Sequence, residues 1–252
     1  MTLPFPHVSY QRYKNTFLNT VVLSLKFAKV TMPDEEFYSL FSEYVKAYFG
    51  IDVPKDEFNH GAAISKGDAS VTVNLTDSNV MIIFRGQKYE SFSQSILPHV
   101  FGLRNYFKNV VKMDRVNGIT IRKINVWSFR NEKNVTITSE SAKKAVFSTE
   151  LLNALSSDNL SEEEKLLNDC KKCEWHEGDE TFVIRSAFND ANNKRNLYQL
   201  ILDTEYTIKK EGGFEVETIA NDLLDYNSEL YYAYHWCIND TVLSFMNKDI
   251  EK

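Results

Sequence analysis

A strict alternation of apolar and polar residues constrains the fold of this chain more than any other feature of its sequence. In residues 69–76 the apolar side chains occupy every second position, with small polar residues between them. A period of two places the apolar side chains on one face of a β-strand. Residues 80–84 are apolar throughout and follow the polar turn Asp77-Ser78-Asn79, so the two segments predict a β-hairpin whose second strand is buried on both faces.

Two further alternating segments and two helical patterns complete the first half of the chain. Residues 18–28 and 117–129 alternate like strands, whereas apolar residues recur at helical spacing before Gly50 and across residues 91–111. Gly50 is expected to cap the first helix in a left-handed conformation, and Pro98 to kink the second helix or mark its true start. The resulting order is β-α-β-β-α-β, that of a split βαβ, ferredoxin-like unit.

The second half of the chain predicts another hairpin and one long helix. Residues 180–189 and 197–209 are predicted to be two strands, and residues 215–247 carry an apolar stripe at helical spacing. The stretch 51–67 is predicted to be a loop, and no internal repeat is visible in the sequence. We therefore predict an α+β protein packed as one compact unit from three segments: a βαββαβ half over 1–130, a helical junction over 131–165, and a half with the hairpin and the long C-terminal helix over 166–252.

Charge and cysteine content narrow the possible functions. The formal net charge is -6 and the sequence pI is about 5.5, whereas a protein that binds duplex nucleic acid carries positive charge on its contact face. Three cysteines do not make a disulfide framework. No segment has the pattern of a signal peptide or a membrane span. We therefore expect a cytoplasmic protein with no cofactor and no membrane association.

Short motifs mark the N-terminal strand and two later strands. The first strand lies in YKNTFLNTVVLSLKF and ends at Lys26-Phe27. The second, GITIRKIN, contains Arg122, Ile124 and Asn125, and the third is Leu202-Asp203-Thr204-Glu205. The last predicted helix has a phenylalanine near its end.

These motifs resemble those of a sporadically distributed family of bacterial proteins of similar length, and the resemblance covers nearly the whole chain. The chain departs from the family at Phe17 and Thr20, where the family has proline and glutamate, and at Gly118 and Lys123, where it has arginine and tyrosine. The resemblance implies an α+β fold in two halves and a bacterial cytoplasmic protein. It brings no known activity, and the patchy distribution of the family points to mobile or defence-related loci.

One candidate metal site is the series Cys170, Cys173 and His176. Thiolate and imidazole are the ligands that zinc prefers, and His235 with Cys237 would complete a set of four. A zinc ribbon has two such paired knuckles, whereas this chain has only one. The alternative is that the cysteines are incidental residues near a strand and within a helix.

A second candidate is the pair Asp203 and Glu205. Two residues apart on a strand, both carboxylates project from one face. They would suit a magnesium-dependent reaction on a phosphoester or nucleotide, or an acid–base pair. The alternatives are a solvated face of an edge strand, or salt bridges to basic residues on the neighbouring strand, for which Arg185 and Arg195 are available.

The third candidate is a basic stripe. Arg104, Lys108 and Lys112 recur every four residues on the second predicted helix, and Arg122 with Lys123 follow on the next strand. Local positive charge on an acidic protein would hold phosphate groups of a nucleic acid or an acidic partner. The alternative is a solvated helix face.

The fourth candidate is the crowding of aromatic residues on the last predicted helix, at Tyr226, Tyr231, Tyr232, Tyr234 and Trp236. These side chains cover more than one side of the helix, and tyrosine and tryptophan are favoured at protein interfaces. Core packing accounts for some of them. The remainder predict a protein partner or self-association.

No nucleophile lies beside a base in the sequence, and no glycine-rich phosphate loop is present. We therefore favour a non-enzymatic interaction or regulatory subunit of a bacterial system, for example in defence or a toxin–antitoxin pair. The alternatives are a metal-dependent phosphoester enzyme that uses Asp203 and Glu205, and nucleic-acid binding through the stripe from Arg104 to Lys123. For the interaction function, the predicted contact surface comprises the basic stripe together with Tyr231, Tyr232 and Trp236.

Overall fold

A computed structural model of the chain describes residues 3–13, 15–29, 34–50, 52–55, 62–65, 71–86, 89–109, 113–131, 136–156, 170–192 and 197–247. Helices and strands are both abundant in these residues, which confirms a mixed α and β protein. The strands are β1 (Leu18–Lys26), β2 (Ala62–Ser65), β3 (Val71–Leu75), β4 (Asn79–Arg85), β5 (Arg115–Arg130), β6 (Lys171–Glu177), β7 (Glu180–Asn192) and β8 (Leu197–Glu215). The helices are α1 (Asp34–Phe49), α2 (Phe92–Ser95), α3 (Leu97–Asn109), α4 (Ser139–Val146), α5 (Thr149–Ser156), α6 (Ile219–Cys237) and α7 (Asp240–Asn247).

The strands follow the hydrogen-bonded order β2-β3-β4-β1-β5-β8-β7-β6. The pairs β2–β3, β3–β4, β4–β1 and β6–β7 are antiparallel. The first predicted hairpin is confirmed as β3 and β4, with Val73 opposite Ile82. Along β4, Val80, Ile82 and Phe84 are buried while the residues between them are only partly buried. The prediction that this strand is buried on both faces is therefore wrong.

The first half of the chain departs from the predicted order in two places. Strand β2 lies within the stretch 51–67 that is predicted to be a loop, and it pairs with β3. The second predicted helix is divided at Ile96 into α2 and α3. Pro98 lies in the first turn of α3, where its missing N–H costs no helical hydrogen bond. The observed order is β-α-β-β-β-α-α-β instead of β-α-β-β-α-β.

The second half contains β6, a strand that the sequence pattern does not predict. It pairs with β7, and β7 is the neighbour of β8, as expected for the predicted second hairpin. Strand β8 continues to Glu215, six residues beyond the predicted end at position 209. The second half is thus built on three successive strands instead of two.

The prediction of one helix over residues 215–247 is wrong, because α6 ends at Cys237 and α7 begins at Asp240. The Asn239 N–H donates to the carbonyl oxygen of Val146 at 3.0 Å, and the Ser148 N–H donates to that of Cys237 at 2.8 Å. The Asn239 Oδ1 accepts the Val242 N–H at 3.0 Å and so caps α7. Hydrogen bonds to the segment between α4 and α5 therefore replace the helical hydrogen bonds at this point.

Two compact units share the chain and interleave along it. One unit comprises residues 1–19, 123–206 and 228–252, and the other comprises residues 20–122 and 207–227. Within the first unit, Phe147, Phe182 and Leu230 are buried in the core; within the second, Phe41, Ile82 and Leu103 are buried. The chain passes from one unit to the other at four places, inside β1, β5, β8 and α6. The division into sequential segments at 130 and 165 stays a prediction.

The same connectivity occurs twice in succession. A strand, a helical segment, three strands and another helical segment follow one another from β1 to α3, and again from β5 to α6. The hydrogen-bonded order β1-β4-β3-β2 of the first series is matched by β5-β8-β7-β6 in the second. The sequence shows no repeat, so the two series share a topology and not a pattern of residues.

Candidate functional site

The acidic pair, Asp203 and Glu205, lies on one face of β8 as predicted. Nη1 of Arg185, on the neighbouring strand β7, lies 3.3 Å from Oδ2 of Asp203 and 3.2 Å from Oε2 of Glu205. The Asp203 side chain is 7% exposed and that of Glu205 is 23% exposed. One guanidinium thus bridges both carboxylates with charge-assisted hydrogen bonds. This is the salt-bridge alternative, formed by Arg185, while Arg195 lies outside the described residues.

A second ion pair lies beside the acidic pair. Lys172 on β6 is opposite Arg185 in the strand register, and its Nζ lies 2.5 Å from Oε2 of Glu174. Any cation that binds Asp203 and Glu205 has to displace the Arg185 guanidinium. In the part of the chain that the structure describes, no three histidine, cysteine or acidic side chains come together as a metal-binding group.

The zinc candidates Cys170, Cys173 and His176 do not come together. Cys173 lies opposite Ile184 on β6, and His176 lies three residues further on and therefore on the other face of the strand. Burial raises the pKa of the Cys173 thiol to about 12, which opposes the thiolate that zinc requires. His176 is exposed, and its Nε2 lies 2.7 Å from Oε1 of Glu174. Cys237 is fully buried in α6, and burial raises the pKa of its thiol as well.

The basic stripe is divided among separate surroundings. Arg104 and Lys108 on α3 both form ion pairs with Glu217. Lys112 lies outside the described residues. Arg122 and Lys123 are consecutive on β5, so their side chains point to opposite faces of that strand. Glu217 thus already neutralises part of the charge that would attract phosphate groups.

The three aromatic residues of the predicted contact surface are half-buried beneath the N-terminal strap, the extended residues 3–13 and 15–17. Phe5 of this strap is 4% exposed. Its ring centroid lies 5.4 Å from that of Trp175, 5.0 Å from that of Phe182 and 5.3 Å from that of Trp236. Further along, the His7 ring centroid lies 4.6 Å from that of Tyr232 and the Tyr10 ring centroid 5.2 Å from that of Tyr231, both in tilted arrangements. We call the side chains under the strap the aromatic surface: Trp175, Phe182, Tyr231, Tyr232, His235 and Trp236.

Hydrogen bonds fix the strap along α6 and α7. The Tyr13 hydroxyl lies 2.5 Å from Nε2 of His235, and the Gln11 N–H donates to the Tyr231 hydroxyl oxygen at 2.8 Å. The Asn15 N–H donates to the carbonyl oxygen of Met246 at 3.0 Å. Burial lowers the pKa of His235. The imidazole therefore stays neutral and is able to accept a hydrogen bond from the Tyr13 hydroxyl. Burial, and secondarily the neighbouring Tyr231, raises the pKa of Tyr13, so its hydroxyl keeps that proton.

Two exposed aromatic side chains lie here, one within the strap and one on the neighbouring helix α7. Tyr10 is 68% exposed and Phe245 of α7 is 43% exposed. The Phe245 ring lies 6.0 Å from that of Phe17 in the strap, and Nε2 of Gln11 donates to Oδ1 of Asn247 at 2.9 Å. The strap and α7 therefore present a joint surface on which aromatic rings face solvent.

Sequence reasoning misses the strap because it has no periodic pattern. Phe5, Tyr10 and Tyr13 recur among prolines and polar residues, without helix or strand spacing. Aromatic side chains in a segment without helix or strand spacing are expected to pack against another part of the fold, and the sequence contains this signal. Their partners lie far along the chain, because Phe5 contacts Trp175 and Phe182 and Tyr13 contacts His235.

Lys123 is a charged residue within the core-facing row of β5. Asn125 and Trp127, which follow it at two-residue spacing, are each 4% exposed. Burial lowers the pKa of Lys123 to about 8. Among the described residues no carboxylate forms an ion pair with its ammonium group, so the cost of desolvating the charge is not offset.

Replacing Lys123 with methionine is expected to raise the free energy of unfolding at neutral pH by about 2 kcal/mol, because methionine has no charge to desolvate. The folded pKa lies below the unfolded value of 10.5, so the unfolded chain binds more protons between the two. Wild-type stability should therefore rise with pH across that interval, and the advantage of the variant should shrink. Urea unfolding near both ends of the interval measures this. Lys26→Met, at an exposed position of β1, should change little; a destabilised Lys123→Met at neutral pH would contradict the argument.

None of the helices in the described ranges is both long enough and apolar enough to cross a membrane. No profile of a known protein family matches this chain. No curated protein sequence matches it significantly either. The resemblance to a sporadically distributed bacterial family therefore stays a prediction.

Proposed function

We propose that this chain is a non-enzymatic interaction protein, a regulatory or partner subunit of a bacterial system, whose contact surface is formed by the strap and α7. The observation that carries the proposal is the pair of exposed aromatic residues Tyr10 and Phe245. Aromatic side chains concentrate the binding energy of protein interfaces, because they bury a large area at a low cost in conformational entropy.

The surroundings of the other candidate residues favour binding over catalysis. Arg185 holds the acidic pair, and Glu217 holds Arg104 and Lys108. A general base or a metal ligand has to be available to its substrate or ion, whereas the acidic pair already has a partner of opposite charge. The same holds for Arg104 and Lys108 as candidate phosphate-binding residues. The metal-dependent enzyme and the nucleic-acid-binding protein therefore rank below the interaction protein.

The test is to replace Tyr10 and Phe245 together with serine and compare the proteins that co-purify with the tagged chain from its host. We expect the double variant to lose a partner, or its own self-association, by at least about tenfold in affinity, because interface aromatics commonly contribute 2 kcal/mol or more. Mass spectrometry identifies the partner, and light scattering reports self-association.

Phe101→Ser is the matched control, since Phe101 is 48% exposed but belongs to α3 and to the other compact unit. Its partner set and association state should equal those of the wild type. The proposal fails if the double variant retains every partner and association state of the wild type while folding normally. Turnover of phosphoesters by the purified protein would favour the enzyme alternative instead.

We also infer that the first half is an elaborated split βαβ unit. In the order β3-β4-β1-β5, β4 lies between β1 and β3, and β1 lies between β4 and β5. Helix α1 lies in the chain between β1 and β3, and α2 with α3 lie between β4 and β5. A strand inserted between two strands that a helix connects is the feature that gives this unit its name.

A cytoplasmic location belongs to the same proposal. Cys170, Cys173 and Cys237 are all free thiols, and free thiols are typical of a reducing compartment. Fractionation of the host with an antibody against the chain tests this, and recovery in a secreted fraction would contradict it.

A further inference from the structure

The strap contacts the rest of its unit as a bound peptide would. The strap has no helix or strand of its own, and its first contact is made by the Phe5 side chain, which lies among three aromatic rings. The hydrogen bonds that follow use the side chains of Tyr231 and His235. No strand ladder with a neighbouring β-strand joins residues 3–13 to the unit, because these residues have no strand structure. Release of residues 3–13 would therefore leave the pairing of the sheet intact, while the carbonyl oxygen of Phe17, at the end of the strap, accepts the Val126 N–H of β5 at 2.9 Å and stays in place.

We propose that the aromatic surface is a peptide-binding site and that the N-terminal strap is its internal occupant. The site would take, in place of the strap, an extended segment of a partner protein that carries an aromatic side chain in the position of Phe5. This goes beyond the proposed interaction function: a partner of the exposed residues Tyr10 and Phe245 needs the strap in place, whereas a segment that binds the aromatic surface replaces it. A partner that binds here has to displace the strap, so the strap lowers the apparent affinity of the site by its own occupancy.

The contacts of the strap define what such a segment needs. Its leading aromatic ring enters the cage of Trp175, Phe182 and Trp236, where edge and tilted ring contacts are favourable. A hydroxyl eight residues later is required to form a hydrogen bond with Nε2 of His235, as that of Tyr13 does. Between them, an aromatic side chain over Tyr231 and a main-chain N–H that reaches its hydroxyl complete the match.

The purified full-length protein and one synthetic peptide suffice for the test. The peptide has the sequence of residues 3–17, LPFPHVSYQRYKNTF, with a fluorescent label. In the Phe5→Ala protein the strap loses the ring contacts of Phe5. We therefore expect the peptide to bind this protein at least about tenfold more tightly than the wild type. The emission of Trp175 and Trp236 should shift to the red in this variant and return when unlabelled peptide is added.

Matched controls distinguish binding through the Phe5 side chain from effects elsewhere on the protein. A peptide with alanine at the Phe5 position should bind the Phe5→Ala protein at least about tenfold more weakly than the parent peptide. The Phe101→Ala protein should bind like the wild type. If Phe5→Ala does not fold, Phe5→Leu and Tyr13→Phe weaken the strap more gently and should give intermediate gains. Equal binding to wild type and variants, or no binding to any folded variant, would overturn the proposal.

The outcome is independent of the test of the interaction function, which needs the host and the exposed residues Tyr10 and Phe245. A loss of partners with the Tyr10 and Phe245 variant, but no peptide binding here, leaves an interaction protein whose strap is a fixed part of its surface. Peptide binding without any partner loss leaves a peptide site whose natural ligand does not use those exposed residues.

Discussion

Replacing Arg185 with methionine is expected to lower the free energy of unfolding by about 3 kcal/mol. The guanidinium bridges Asp203 and Glu205, and Asp203 is only 5% exposed in the folded chain. Without the guanidinium, the two carboxylates on one face of β8 repel each other, and little water reaches them to screen this repulsion. Both carboxylates have further contacts, which keeps the loss below the cost of an isolated buried charge. Urea denaturation followed by circular dichroism measures the difference.

Three variants isolate the origin of this loss. Arg185→Lys keeps the charge, but its ammonium group lies closer to the backbone than the Nη1 that contacts both carboxylates, so it should lose about half as much stability. Arg185→Met combined with Asp203→Asn and Glu205→Gln should recover stability, because the repelling charges are gone. Lys144→Met removes an exposed ion pair with Glu140 and should change the free energy of unfolding little. A loss in Arg185→Met no larger than in Lys144→Met would mean that the bridge contributes nothing.

Replacing Gly213 with alanine is expected to destabilise the protein by about 3 kcal/mol. Gly213 has a φ of 75°, a conformation that costs a residue with a Cβ about 1–2 kcal/mol. A Cβ at this position would also lie 2.8 Å from the carbonyl oxygen of Val116 in β5, so a backbone segment has to move. Thermal and urea unfolding of the variant report the loss.

The neighbouring Gly212 is the matched control. Its φ of 77° is nearly the same, but the nearest atom to an added Cβ is Nη1 of the Arg115 side chain at 3.4 Å. A flexible side chain moves away easily, so Gly212→Ala should show only the conformational cost, about 1–2 kcal/mol. Equal losses at both glycines would show that β5 adjusts freely to the added atom.

Local patterns predicted most elements where local physics decides. Gly50 has the expected left-handed conformation, with a φ of 68°, and its N–H donates to the carbonyl oxygen of Lys46 at 3.0 Å. Strand β1 follows from its alternation, because Val21, Leu23 and Leu25 are buried on one face. Pro98 marks the start of α3 because a proline in a helix interior removes a hydrogen bond.

The candidate site was predictable only in part. The spacing of Asp203 and Glu205 correctly places both carboxylates on one face of a strand, and Arg185 was identified as a possible partner from its position on the adjacent strand. That the guanidinium bridges both oxygens depends on the register of β7 and β8. Sequence reasoning identified Tyr231, Tyr232 and Trp236 as an aromatic cluster, but the residues of the strap have no periodic pattern that assigns them to this surface.

By itself the sequence determined the α+β class, the first hairpin and the capping of α1, because each depends on residues within one or two turns of one another. Only the tertiary structure decided where the C-terminal helix breaks, since hydrogen bonds of Ser148 and Asn239 to distant carbonyl groups compete there with helix continuation. The tertiary structure also decided that the alternating segments pair in the same strand order twice, and that Phe5 is buried. Such contacts join residues far apart in the chain, so their free energy depends on the whole fold and leaves no periodic trace in the sequence.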